Sequence, residues 1–457
     1  MSTYRESLDP AGRTPTTRNR YVDFLRAASI IVVVLGHWLI AAPHVLPGGL
    51  EYNVLLSEAS WTHYLTWILQ VMPIFFLVGG YANARSWRSA LGKGESYGIW
   101  LRARLRRLLL PVLPLLAVWA AGAYILLQTG YDRALLTFAS QGALVPVWFL
   151  ATYVAVVALT PLTLRIWDRY GWNALLVTGS LAVLTDFVSL GSPGLTSAGF
   201  LNYLFMWGTV HSFGYAWADS RIGGVTHRLV ASAAGLAATG ALVFWGPYPV
   251  AMVGLNTQGV NNSQPPKVTL LTLAIFQAGL ILALEGPARR WLARKRAWAG
   301  VVLVNGRIMT IYLWHMTAMV ALIGVSLLFD GIGLGVAVDT REWWLTRPLW
   351  IAALAVTTIP LLMVFGRFER PNPDLRPAPP VWRPVAAVIA TCAGLGLLAA
   401  LGVSDEEGLN GVALALPFAA AIAGGVGGAR RWERVALGVA DNAHLGKGMS
   451  QFGQRLE

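Results

Sequence analysis

Apolar runs of about 20 residues recur along the chain from Tyr21 to Gly428, separated by short polar segments where Arg, Lys, Pro and Gly collect. A helix needs about 20 apolar residues to cross the hydrocarbon core of a bilayer. Runs of this length, without the strict alternation of a half-buried strand, predict spanning helices. The pattern predicts twelve, near 21–41, 61–82, 108–128, 144–164, 173–190, 197–217, 229–249, 268–285, 308–329, 349–366, 384–403 and 410–428. The expected fold class is therefore all-α, a polytopic helical membrane protein. Gly and Ala dominate the last run, and small residues there suit close helix packing.

Composition sharpens this. Of 457 residues, 56% are hydrophobic and 12% charged, against roughly 25% charged in globular domains. A soluble enzyme, a disulfide scaffold and a disordered chain are excluded as the main body. The single cysteine, Cys392, excludes an intramolecular disulfide and a multi-cysteine metal site, and no metal is expected. Residues 1–20 are polar and read as a disordered cytoplasmic tail. Asp23, Arg26 and His37 interrupt the first apolar run, which reads as a retained helix rather than a cleaved signal. The Pro-rich stretch 371–383 reads as an extended cytoplasmic linker. It divides a ten-helix body, 21–370, from two additional helices in 384–428, and 429–457 reads as a cytoplasmic C-terminal tail. No internal repeat is evident, which weighs against an inverted-repeat transporter.

The net charge of +13 would suggest a nucleic-acid partner in a soluble protein. Its distribution says otherwise. With the N-terminus cytoplasmic, all of the 35 Lys and Arg except Arg133, Lys267, Arg341 and Arg347 fall on the inner side. Cytoplasmic loops are enriched in Lys and Arg, so both termini are expected inside a cell membrane, and no nucleic acid is expected.

Ionisable residues inside a span are costly and are functional candidates by default. Arg26 and His37 lie ~16 Å apart along the first helix and, after about three turns, on nearly one face. The plain alternatives are a topology anchor for Arg26 and a backbone-bonded imidazole for His37. His315, in Tyr312-Leu313-Trp314-His315, sits ~12 Å in from Arg307. His211 reads as an interhelical hydrogen bond, and Asp186 as a helix-end acid that could orient His37. Arg102, Arg104, Arg106 and Arg107 crowd the start of the third span more densely than orientation requires. Guanidinium groups bind phosphate oxygens bidentately, so anionic lipid headgroups and a phosphate-bearing substrate are both open as partners. In Met72–Tyr81, Pro73 weakens the helix and Gly79-Gly80 permits close backbone approach.

Taken together, these segments resemble the acyltransferase-3 family of membrane O-acyltransferases over about residues 20–370. Arg20-Tyr21-Val22-Asp23-Phe24-Leu25-Arg26 is similar to its first-helix start, and Arg26 with His37 matches its Arg/Lys-X10-His motif. Phe75–Tyr81 is similar to its FFxxSG segment, Arg104–Arg107 to RxxR, Pro146–Leu150 to WFL, and Tyr312–His315 to YLWH. Gly79 stands where that family carries serine, and no hydrolase domain follows the body. The resemblance implies transfer of a short acyl group, such as acetyl, from cytoplasmic acyl-CoA. The acceptor would be a hydroxyl of a glycan, lipid or secondary metabolite. His37 would be general base, with His315 orienting the acceptor or polarising the thioester. Arg26, Arg102, Arg104, Arg106 and Arg107 would hold the donor phosphates. The competing reading is a transporter or flippase of a lipid-linked or small hydrophobic substrate.

Overall fold

The computed structural model describes residues 18–46, 49–254, 259–369, 377–405 and 408–426. The expected C-terminal tail, nearly all of the N-terminal tail and residues 371–376 of the linker lie outside the described residues. The first helix, α1 (Arg20–Ile40), starts where Asn19 accepts hydrogen bonds from the Tyr21 and Val22 amides at 3.1 and 3.4 Å. That N-cap satisfies two amides the helix leaves open. A hairpin follows, β1 (Ala41–Leu46) against β2 (Gly49–Val54). Then come α2 (Leu55–Glu58), α3 (Thr62–Leu69), α4 (Met72–Gly92), α5 (Tyr97–Leu109), α6 (Val112–Gln128), α7 (Arg133–Tyr170) and α8 (Trp172–Gly191). A 3-10 segment, Pro193–Leu201, leads to α9 (Asn202–Ala218) and α10 (Val225–Trp245). The chain continues through α11 (Val268–Ala283), α12 (Glu285–Leu292), α13 (Lys295–Asn305), α14 (Ile308–Leu327) and α15 (Arg341–Phe365). It ends in a hairpin of α16 (Trp382–Leu401) and α17 (Gly411–Ala423), joined by the short strands β3 (Ser404–Asp405) and β4 (Gly408–Leu409).

Among the described residues, eight helical stretches are long and apolar enough to span a bilayer, or up to 10 when α5–α6 and α11–α12 each count as one bent span. The protein is thus an all-α polytopic membrane protein, but two of the twelve expected spans fall short. The run 197–217 begins as a 3-10 segment, so α9 has only 17 residues. The run 410–428 yields a 13-residue α17, ended by Gly424 and by Gly425 at φ +62°. Such a left-handed glycine is a common helix stop. In the other direction, α7 runs 38 residues through Pro146 and Pro161.

Helices α1 and α14 run parallel, fixed at three levels. Asn305, just before α14, donates to the Asp23 carbonyl at 2.9 Å. Trp38 Nε1–H donates to the His315 carbonyl at 3.1 Å. Beyond both helices, the Val45 amide donates to Leu334 O at 3.0 Å. Helix α15 returns antiparallel, so the molecule has an Arg20 end and an Ile40 end. Helices α4 and α9 meet backbone to backbone. A Cβ on Gly80 would lie 1.7 Å from His211 O, and one on Gly214 would lie 2.2 Å from Leu77 O. Those glycines are required by contact rather than by φ.

Two of the four basic residues expected in outer loops are neither exposed nor in loops of ordinary character. Arg347 lies within α15 and is buried; Lys267 is buried at the start of α11. The terminal hairpin docks along α7: Val403 N donates to Ser140 Oγ at 3.1 Å and Gln141 Nε2 to Ala400 O at 3.1 Å.

Candidate functional site

Two histidines from helices far apart in sequence meet inside the bundle. His37 Nδ1 lies 2.8 Å from His315 Nε2, with the ring planes 6° apart and the centroids at 5.1 Å. His315 Nδ1 lies 2.7 Å from the Tyr312 carbonyl. A carbonyl only accepts, so His315 Nδ1 carries the hydrogen. With both rings neutral, His315 Nε2 is then the acceptor and His37 Nδ1–H the donor. His37 Nε2 is left with a free lone pair, and no described protein group occupies it. Tyr312 is itself pinned, because its hydroxyl donates to Pro146 O at 2.7 Å. His315 is buried and His37 half-buried. The arrangement leaves a basic nitrogen open on a ring fixed from behind by a second ring, a backbone carbonyl and a third helix.

Toward the Arg20 end, Arg26, Arg104 and Arg107 lie within one another's electrostatic reach, and Tyr153 lies within reach of all three. None of the three arginines has an ion-pair partner among the described residues. Arg26 and Arg104 are half-buried and Arg107 is exposed. Arg104 and Arg107, three residues apart, share a face of α5. Arg104 donates to Ser86 Oγ and stacks 5.6 Å from the Trp100 ring. Arg102 and Arg106 lie four residues apart on another face. Arg102 is buried and donates to Pro377 O at 2.8 Å, tying α5 to the chain before α16. The structure therefore brings Arg26, Arg104 and Arg107 together and turns Arg102 toward the chain before α16.

Two further residues belong here that the apolar pattern did not single out. Tyr153 on α7 accepts from Asn83 Nδ2 at 3.4 Å, and its own hydroxyl hydrogen has no acceptor among the described residues. A Cβ on Gly79 would lie 2.8 Å from the Tyr153 ring, so this tyrosine fills the space a serine would need there. Tyr153 stacks on Phe149, which meets Tyr312 edge-on, so an aromatic row joins the arginine cluster to the histidine pair. Glu369 caps α14: its carboxylate accepts from Met309 N at 2.9 Å, Thr310 N at 3.0 Å and Thr310 Oγ1 at 2.9 Å. A carboxylate at a helix N-terminus is favoured by the helix dipole, and this one anchors the helix that carries His315.

His211 lies in a second network, which meets Tyr153 through Asn83 and leaves neither ring nitrogen open. Asn83 Nδ2 donates to His211 Nε2 at 3.1 Å, His211 Nδ1–H donates to Tyr215 at 3.1 Å, and the Tyr215 hydroxyl donates to Thr163 Oγ1 at 2.8 Å. Asp186 does not reach His37. It pairs with Lys267 at 3.0 Å and accepts from Tyr248 at 3.0 Å and the Val268 amide at 2.8 Å. Among the described residues no group of three or more His, Cys, Asp or Glu stands together as a metal site would require.

Fold and site define a polytopic membrane protein with a polar centre held inside its helix bundle. The family model described as an acyltransferase domain, Acyl_transf_3, matches residues 19–367. The match covers well over half of the chain, and the chain belongs to this acyltransferase family. No curated protein and no solved structure matches it.

Proposed function

We propose that this membrane acyltransferase moves a short acyl group, such as acetyl, from acyl-CoA to a hydroxyl of a glycan, lipid or secondary metabolite. His37 acts as general base. The observation that carries this is the direction of hydrogen bonds through the histidine pair, which leaves His37 Nε2 as an unoccupied acceptor. As the acceptor oxygen attacks the thioester carbonyl carbon, His37 Nε2 takes the hydroxyl proton. The C–S bond breaks, and the departing thiolate takes that proton to leave as the free thiol of CoA. The imidazolium formed in between still donates from Nδ1 to His315 Nε2. His315 is thus a positioning residue that selects the tautomer, rather than a group free to bind the acceptor.

Arg26, Arg104 and Arg107 supply unpaired positive charge for the donor phosphates, and the Tyr153 hydroxyl adds a neutral donor beside them. With this cluster at the Arg20 end, the donor enters from the cytoplasmic side that the distribution of Lys and Arg predicts. Membership of an acyltransferase family favours this reading over a transporter or flippase. Purified His37→Ala and His37→Gln proteins test it in acyl transfer and in acetyl-CoA hydrolysis, where water replaces the acceptor. Both activities should fall by about 10²–10⁴-fold while the proteins still insert and purify. A His37→Ala protein of wild-type activity would overturn the assignment.

A further inference from the structure

The Ile40 end holds two buried cations, and they differ. Lys267 is matched by Asp186 at 3.0 Å and has Ser189 Oγ at 3.3 Å. Arg347, only 6% exposed, has no ion-pair partner among the described residues. It lies on the inward stripe of α15, with Trp343, Trp350, Leu354 and Thr358. Its guanidinium carbon sits 4.3 Å from the Trp343 ring and 5.6 Å from the Trp350 ring. Nε–H donates to the Trp343 carbonyl at 3.3 Å. A guanidinium carries five N–H donors in a rigid fork, and the remaining four have no acceptor among the described residues. Beside them, Trp350 Nε1 is buried without a hydrogen-bond partner.

Indole faces attract the cation but accept none of the in-plane N–H groups. A buried charge left without counter-charge is costly inside a span. Neighbouring unfilled donors of this kind suit an oxyanion, which the fork can bind bidentately. The position gives the oxyanion a source. Trp343, one turn from Arg347, packs with Ala42 and Leu55, just beyond His37 on the Ile40 side. The donor arginines lie on the opposite side of the histidine pair.

We propose that Arg347 and Trp350 form an anion subsite for the acyl acceptor, so that the hydroxyl compound acylated by this protein carries a carboxylate or phosphate group. The proposal rests on the reading of His37 as the base that deprotonates that acceptor.

The test titrates the purified full-length chain, in neutral detergent and without acyl donor, with octyl phosphate, octanoate and octanol, following thermal unfolding. Wild type should be stabilised by octyl phosphate or octanoate, the stronger of the two naming the acid, and not by octanol. Arg347→Gln should raise the half-saturating concentration at least tenfold. Arg165→Gln, which removes an exposed arginine at the other end, should bind as wild type does. If Arg347→Gln fails to fold, Arg347→Lys keeps the charge and loses the fork, and should bind three- to tenfold more weakly. Equal titrations for wild type and the Arg347 variant, equal stabilisation by octanol, or no stabilisation of wild type would each overturn the subsite. Because no acyl donor is present, these results stand apart from acetyl-CoA hydrolysis by wild type, whose absence would instead overturn the reading of His37.

Discussion

The networks around His211 and His37 differ in how they end. Around His211 every ring nitrogen is engaged, and the chain of hydrogen bonds from Asn83 closes on Thr163. Around His37 the chain starts at the Tyr312 carbonyl, passes through His315 and stops at an unfilled nitrogen. The first network joins helices α4, α7 and α9; the second leaves open the nitrogen proposed as the base. Burial alone does not separate the two; the open end does, and the proposed function rests on it.

The comparison predicts a graded series of effects. The largest falls on the open end: His37→Gln should lower turnover by about 10²–10⁴-fold, the usual worth of a general base, as read by steady-state transfer at saturating donor. His315→Gln should cost less, roughly 10- to 100-fold in kcat with KM little changed, because it frees the ring of His37 without removing the base. The double variant should be no slower than His37→Gln alone, since residues acting as a unit are not additive; additive losses would show that His315 acts on its own.

On the donor side the effect falls on KM. Arg104→Gln combined with Arg107→Gln should raise KM for acetyl-CoA on the order of 100-fold or more and spare kcat at saturation. Acetyl-pantetheine, which lacks the nucleotide phosphates, should be nearly unaffected. The expected size follows from losing charge-assisted hydrogen bonds worth about 1.5–3 kcal/mol each. A loss confined to kcat would place these arginines elsewhere in the reaction.

The His211 network should respond in stability rather than chemistry. His211→Leu leaves Asn83 and Tyr215 without their shared partner, at a cost of about 1–3 kcal/mol, visible as a lower Tm with kcat retained. A large loss of kcat at unchanged Tm would erase the distinction between the two networks. The smallest effect is expected at the Arg20 end of the same helix. Burial works to raise the Asp219 carboxyl, but hydrogen bonds from Arg88 and Trp167 outweigh it and hold the group below the ordinary aspartate value. A carboxyl lowered in the folded state contributes stability above its unfolded pKa and loses it as pH falls through the folded one. Wild type should therefore lose slightly more stability than Asp219→Asn between neutral and strongly acidic pH. Parallel pH profiles would contradict this.

Much of the fold was legible because apolar length is a blunt and strong signal. It failed where an apolar stretch is not an α-helix, as in Pro193–Leu201, which forms a 3-10 segment and shortens the helix after it. The span expected near 349–366 is present, but α15 begins earlier, at Arg341, and so takes in Arg347. Of the site, His37 and His315 stood out as ionisable residues in apolar runs. Their pairing did not, since it depends on α1 and α14 lying parallel at one level, a long-range fact that no local pattern carries. Arg104 and Arg107 could be separated from Arg102 and Arg106 by helical phase, but which face meets Arg26 required the packing. Tyr153 gave no signal, being a neutral residue in an aromatic-rich helix. Glu369 gave none because its partners are amides 59 and 60 residues away.

The central claim is that His37 Nε2 is the base and that the rest of the pair exists to present it. Its most direct test is chemical rescue. Acetyl-CoA hydrolysis by purified His37→Ala protein is measured with increasing imidazole, alongside His211→Leu as the comparison. The account predicts that His37→Ala is slowed by about 10²–10⁴-fold and regains a concentration-dependent fraction of the wild-type rate as imidazole occupies the vacated space. His211→Leu should be active from the start and indifferent to imidazole. A His37→Ala protein that hydrolyses acetyl-CoA at the wild-type rate without imidazole would contradict it.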